Sequence, residues 1–165
     1  MLHEHRKRLH ERTGQALETV YPATLPEHYS DLAHHYRRSA NTEKAIEYLH
    51  LAGQQAVQRS AYTEAINDLT AALELLRTLP DTTKRAQREL SVHVTLGPAL
   101  ITTKGWAAWE VGQAYARTRE LCRQVGETPH LCPVLFGMWA FYVARAEHRM
   151  AYELGKQLSS LAQST

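Results

Sequence analysis

The sequence predicts an all-α fold, a solenoid of about seven to eight helices arranged as antiparallel pairs. Apolar residues recur at helical spacing along most of the 165-residue chain. No segment shows the alternating pattern or the enrichment in β-branched residues that marks strands. The periodic stretches are separated by short turns, which force neighbouring helices to run antiparallel. The composition, 44% apolar and 22% charged residues, is typical of a folded globular chain.

The apolar periodicity places eight helices in order along the chain. The clearest covers residues 62–77, where apolar residues fall at i, i+3, i+4 and i+7. Asp81 or Thr82 is placed to cap the helix that follows. We expect that helix to bend or split at Gly97-Pro98, because proline lacks an amide donor and crowds the preceding turn. The predicted helices cover residues 3–20, 27–39, 42–58, 62–77, 83–103, 107–125, 130–146 and 148–163.

An internal repeat begins at Tyr29, and a second copy of its turn follows at Ala61. The large and small positions of the first copy are Tyr29, Leu32, Ala33, Tyr36, Ala45, Leu49 and Ala52. Small residues let two antiparallel helices approach closely, and large ones fill the gaps beside them. The spacing resembles that of the 34-residue tetratricopeptide repeat (TPR). This resemblance implies a TPR-like solenoid, with a third copy beginning near Leu135.

Short segments along most of the chain carry a second resemblance. They are Leu9-His10-Glu11-Arg12, Ala16-Leu17-Glu18, Leu32-Ala33-His34-His35-Tyr36, Lys44-Ala45-Ile46-Glu47-Tyr48-Leu49, Ala71-Ala72-Leu73-Glu74-Leu75-Leu76, and Tyr115-Ala116-Arg117 before Glu120-Leu121-Cys122. Together they resemble the helical region after the ATPase core of large bacterial signalling ATPases, often linked to adenylate or guanylate cyclase domains. The resemblance implies that residues 1–165 form one TPR-like domain of a larger protein. Its implied role is a protein-protein interaction scaffold that regulates a linked AAA-type ATPase or nucleotide cyclase in signal transduction.

The sequence contains none of the common catalytic motifs. It has no GxxxxGK[ST] or GxGxxG phosphate loop and no GxSxG, HExxH or CxxC pattern. We therefore expect this segment to be no enzyme and to hold no cofactor, with any nucleotide chemistry elsewhere in the parent protein. Two other functions stay open. One is the helical linker or sensor region of an ATP-dependent transcription activator, and the other is a small helical enzyme with an unrecognised site.

The TPR resemblance also implies a partner groove lined by long polar side chains. Its predicted residues are His34, Arg37, Arg38, His50, Gln54 and Gln58. Arg37 and Arg38 would form charge-assisted bonds with a carboxylate-bearing peptide or with an acidic segment of the parent protein. A solvated face without a dedicated ligand is the alternative. We expect no metal site at His3 and His5 or at the pair His34-His35, because adjacent or closely spaced histidines point to different helix faces.

Charge and hydropathy narrow the remaining functional classes. A formal net charge of +2 is too small to indicate nucleic acid binding, and Glu4 and Glu11 interrupt the basic group formed by residues 5–8 and Arg12. No apolar stretch is long enough to span a membrane, and the N-terminus lacks a secretory signal, so we expect a cytoplasmic protein. Leu154, Leu158 and Leu161 lie on one side of the last helix, and we expect further chain or a partner to cover them.

Overall fold

The computed structural model describes residues 2–126 and 131–163, and every regular element within these ranges is helical. The all-α fold class is therefore confirmed, as is the number of helices. Most boundaries fall within two residues of those predicted from periodicity. The elements are α1 (Leu2–Val20), a short 3-10 helix (Leu25–His28), α2 (Tyr29–Arg37), α3 (Thr42–Gln58), α4 (Tyr62–Leu76), α5 (Thr83–Lys104), α6 (Trp109–Val125), α7 (Leu131–Ala144) and α8 (His148–Gln163).

The chain divides into two compact units. Unit 1 comprises Met1–Leu79 and unit 2 comprises Pro80–Thr165. In unit 1, α1 packs on α2, α2 on α3, and α3 on α4; in unit 2, α5 packs on α6, α6 on α7, and α7 on α8. Within each unit, every helix thus packs on its neighbour in sequence, which is the arrangement of helical repeats. That residues 1–165 act as a single domain stays a prediction.

Side-chain caps explain where two of the helices begin. The side chain of Asn41 accepts a hydrogen bond from the amide of Lys44 at 3.1 Å, at the start of α3. Thr82 accepts from the amide of Arg85 at 3.2 Å and caps α5. The side chain of Asp81, the other candidate cap, instead pairs with the Arg85 guanidinium at 2.8 Å. Each cap satisfies an amide that the first helical turn leaves without a partner.

Of the two alternatives predicted at Gly97-Pro98, a bend or a split, the split is wrong, because α5 runs unbroken from Thr83 to Lys104 with Pro98 inside it. A proline in a helix removes one backbone hydrogen bond, here the one that the carbonyl of Val94 would accept. Residues on both sides of the proline are buried, among them Leu96 and Ala99. Their packing stabilises the helix through the position that the sequence pattern marks as a break.

The first repeat packs as its spacing predicts. Six of its seven positions are buried, from Leu32 at 0% exposed to Ala33 at 3%, and Tyr29 is half-buried. Beside Ala52, a Cβ added to Gly53 would lie 2.7 Å from Cγ of Leu69. Since real Cβ atoms do not approach other atoms so closely, α3 and α4 are in contact through a position where only glycine fits. The small residues therefore set the distance between these helices.

Glu18 joins α1 to the first repeat. Its carboxylate accepts hydrogen bonds from the Tyr36 hydroxyl at 2.8 Å, from Nζ of Lys44 at 2.9 Å, and from the Tyr48 hydroxyl. The rings of Tyr36 and Tyr48 are stacked, with centroids 5.5 Å apart. Burial acts to raise the pKa of Glu18, but these three hydrogen bonds and the Lys44 charge outweigh it and leave the pKa below its ordinary value. The ionised carboxylate is thus the form that the fold stabilises.

The expectation that the leucines of α8 need a cover from elsewhere is wrong for Leu154. Leu154 is 2% exposed and packs with Leu135 and Met138 of α7. Leu158 and Leu161 pack partly buried against the same cluster. The apolar side of α8 is therefore covered in part by α7, and Leu158 and Leu161 stay partly exposed.

Replacing Ala52 with arginine should destabilise unit 1. The site is 1% exposed, so the longer side chain has no space and its charge would be buried. We expect the free energy of unfolding to fall by roughly 3 kcal/mol or more, measured by urea denaturation followed by circular dichroism. Gln54→Arg, on the exposed side of the same helix, is the matched control and should change stability by less than about 0.5 kcal/mol. Equal effects of the two substitutions would contradict the packing described for α3.

The Glu18 contacts make stability depend on pH. Because the folded-state pKa lies below the ordinary 4.5, Glu18 stabilises the fold above that pH and loses its contribution as the pH falls through the lowered pKa. Glu18→Gln should lower the free energy of unfolding by roughly 1 to 3 kcal/mol at neutral pH and flatten its decline below about pH 4.5. Glu74→Gln, at an exposed position of α4, serves as the control. If the free energy of unfolding declines below about pH 4.5 as steeply in Glu18→Gln as in the wild type, this role is refuted.

Candidate functional site

A surface concavity of about 530 Å³ lies between α2 and α4, with α3 beneath it. We call it the α2–α4 groove. Its lining residues are Ser30, Ala33, His34, Arg37 and Arg38 from α2, Leu49 from α3, and Asp68 from α4. The α2 residues are spaced by three and four positions, which brings them to one face of the helix. The small side chain of Ala33 and the buried Leu49 leave room between the polar residues of the two flanking helices.

The structure brings three of the six predicted groove residues together. His34, Arg37 and Arg38 line the α2–α4 groove, and all three are exposed. The other three, from α3, do not line it. Gln54 and Gln58 are exposed, and the amide of Gln54 lies 3.2 Å from Nε2 of His50.

The position of α3 in the unit explains why its polar residues lie elsewhere. This helix directs Leu49, Ala52 and Ala56 into the core, where all three are buried. The stripe formed by His50, Gln54 and Gln58 is rotated away from that buried side by the helical repeat. The sequence interpretation assigned residues of both helices of the pair to one surface, whereas only the first helix of the pair contributes polar groups to the groove.

Asp68 is a groove residue that the sequence interpretation missed. It is half-buried on α4. Burial raises the pKa of its carboxyl group, and the nearby Glu64 charge raises it further, while Arg37 across the groove acts in the opposite direction. The net shift is upward. The available signal was the acidic pair Glu64 and Asp68, one turn apart on a helix whose other side is apolar.

The groove is electrostatically asymmetric. Arg37 and Arg38 place two cations on the α2 side, and the guanidinium of Arg38 contacts the His34 ring. Asp68 places a carboxyl group on the α4 side. Guanidinium groups present paired donors that match a carboxylate. The arrangement therefore favours a ligand with acidic groups toward α2 and neutral or donor groups toward α4.

His10, His34 and His35 cluster at the edge of this region. Nδ1 of His10 lies 3.0 Å from Nδ1 of His35, and the His34 ring is 6.1 Å from that of His10. Burial lowers the pKa of both His10 and His35, and neighbouring positive charges lower it further. Across residues 2–126 and 131–163, no group of three His, Cys, Asp or Glu side chains is placed to hold a metal ion. The His3 side chain lies outside the described residues, and His5 is exposed.

Hydropathy of the helices gives one further finding. Within the part of the chain that the structure describes, no helix combines the length and the apolar character needed to cross a membrane.

No family model matches this chain. The chain is similar to an uncharacterized protein of Rhizobium meliloti (strain 1021), with 29% identity over 131 residues. The match covers 78% of this chain but only 13% of that protein, so the relative is about 1,000 residues long. The chain is thus similar to one segment of a much longer protein.

Proposed function

We propose that this chain is a protein-protein interaction module whose α2–α4 groove binds an acidic, carboxylate-bearing segment of a protein partner. The observation that carries the proposal is the placement of His34, Arg37 and Arg38 along one side of an open groove. All three side chains are exposed, so their donors can reach a ligand without a rearrangement of the core. Charge-assisted bonds to carboxylates then supply both attraction and orientation.

The repeat pattern also supports ligand binding in the α2–α4 groove. Counted in 34-residue steps from Tyr29, α2 is the first helix of one copy, α3 is its second helix, and α4 begins where the next copy would begin. First helices of successive repeats line the inner surface of such solenoids, which these proteins use for binding. The groove lies between these two helices, where the resemblance to TPR proteins implies a ligand. Asp68 would disfavour ligands that place acidic groups toward α4 as well as toward α2.

The proposed setting is the helical region of a large bacterial signalling ATPase, linked to adenylate or guanylate cyclase domains. The similarity to one segment of a protein of about 1,000 residues supports a multidomain parent. In that setting the acidic partner is a segment of the parent protein or a peptide, and the module restrains or relays ATPase or cyclase activity in the cytoplasm. Its mechanism is binding, and it makes or breaks no covalent bond.

Reversing the charge of Arg37 and Arg38 should abolish ligand capture. The probe is a fluorescently labelled decapeptide in which Asp or Glu alternates with Ser, so that an extended peptide is acidic along one side only. Its binding is followed by anisotropy at several salt concentrations. Arg37→Glu with Arg38→Glu should weaken binding at least about tenfold, because the attraction becomes repulsion. Circular dichroism should show unchanged helicity, since both positions are exposed.

Two controls identify the surface involved. Arg8→Glu with Arg12→Glu makes the same charge change at exposed positions of α1 and should have little effect on binding. Gln54→Glu with Gln58→Glu changes the charge of the α3 stripe and should also have little effect. If either control weakens binding as much as the groove variant does, or if the wild-type chain does not bind the acidic peptide, the proposal fails.

A further inference from the structure

Unit 2 contains a partly enclosed cavity of about 190 Å³ bordered by α5, α6 and α7. Its lining is mainly apolar, with Val94, Pro98, Ala114, Tyr115 and Val134 beside two polar residues, His93 and Thr118. An engineered apolar cavity of about 150 Å³ in another protein binds benzene. The cavity of unit 2 therefore has room for one aromatic ring with a small substituent.

The Tyr115 ring forms one wall of the cavity and occupies space that two glycines leave open. A Cβ added to Gly97 would lie 3.2 Å from Cζ of Tyr115, and one added to Gly137 would overlap the ring. The side chain of any larger residue at these two positions would therefore collide with the Tyr115 ring. Burial raises the pKa of Tyr115, so its hydroxyl stays neutral at physiological pH. The ring gives the cavity a fixed, uncharged aromatic wall.

Pro98 gives the same cavity a hydrogen-bond acceptor. Because proline has no amide hydrogen, the carbonyl oxygen of Val94 lacks the donor that residue 98 supplies in an ordinary helix. Val94 and Pro98 both line the cavity. Val94 is partly buried, and a carbonyl without its helical donor is stabilised when another group donates to it. A bound molecule with one donor is suited to this position.

We propose that this cavity binds a small, neutral aromatic molecule that donates one hydrogen bond. The ring lies between Pro98, Tyr115 and Val134, and the donor reaches the carbonyl of Val94. An ionised ligand is disfavoured because moving a charge into an apolar cavity carries a large desolvation cost. The volume suits one aromatic ring with a small substituent. This site is separate from the α2–α4 groove and does not depend on the function proposed for that groove.

The experiment compares phenol with toluene, which has nearly the same shape but no donor. Titrations of the full chain are followed by amide ¹H–¹⁵N NMR spectra. Phenol should bind several-fold more tightly than toluene and shift the signals of Gly97, Ala114 and Tyr115. Ala114→Leu fills the cavity and should remove binding of both probes. Ala116→Leu, the same change at an exposed position of α6, should leave binding unchanged.

Pro98→Ala tests the acceptor in a variant that should fold at least as well, since alanine favours helices and restores the missing amide. The restored amide donates to the carbonyl of Val94, so the preference for phenol over toluene should disappear while toluene still binds. Absence of phenol binding to the wild-type chain, shifts confined to other residues, or an unchanged preference for phenol in Pro98→Ala would each overturn the proposal.

Discussion

Close approach of neighbouring helices at alanine and glycine is the constraint on which the rest of the structure depends. In unit 1, Gly53 lets the side chain of Leu69 pack directly against the backbone of α3. In unit 2, an added Cβ at Gly112 would overlap the ring of Phe141. Such contacts fix both the distance between two helices and their register, because a large side chain fits only opposite a small one. The groove and the cavity are both consequences of this packing.

Polar contacts then fix orientations that apolar packing leaves adjustable. The carboxylate of Glu18 joins α1 to α2 and α3 in unit 1. In unit 2, Glu89 of α5 accepts from the guanidinium of Arg117 of α6 at 2.7 and 3.1 Å. Burial acts to raise the pKa of Glu89, but the Arg117 hydrogen bonds and charge lower it overall. Each carboxylate is held ionised by partners on a different helix, which gives the pairing directional specificity.

The two candidate sites arise where regular packing leaves space. The α2–α4 groove exists because α3 lies between the two flanking helices and separates them at the surface. The cavity in unit 2 adjoins the one position where α5 lacks a backbone hydrogen bond, at Pro98. Sequence periodicity does not predict a groove or a cavity of this kind. It describes which side of a helix is buried and not how far apart two non-adjacent helices stand.

The sequence alone determined the helices and the buried positions of the first repeat, because apolar spacing and capping residues act locally. The bounds of α3 match those predicted, and Asn41 caps it. Only the tertiary structure decided that Asp68 faces Arg37 across a groove, that the stripe containing Gln54 lies elsewhere, and that α5 continues through Pro98. These outcomes depend on contacts between residues distant in sequence, whose geometry is set by side-chain volumes and helix separations that no local pattern encodes.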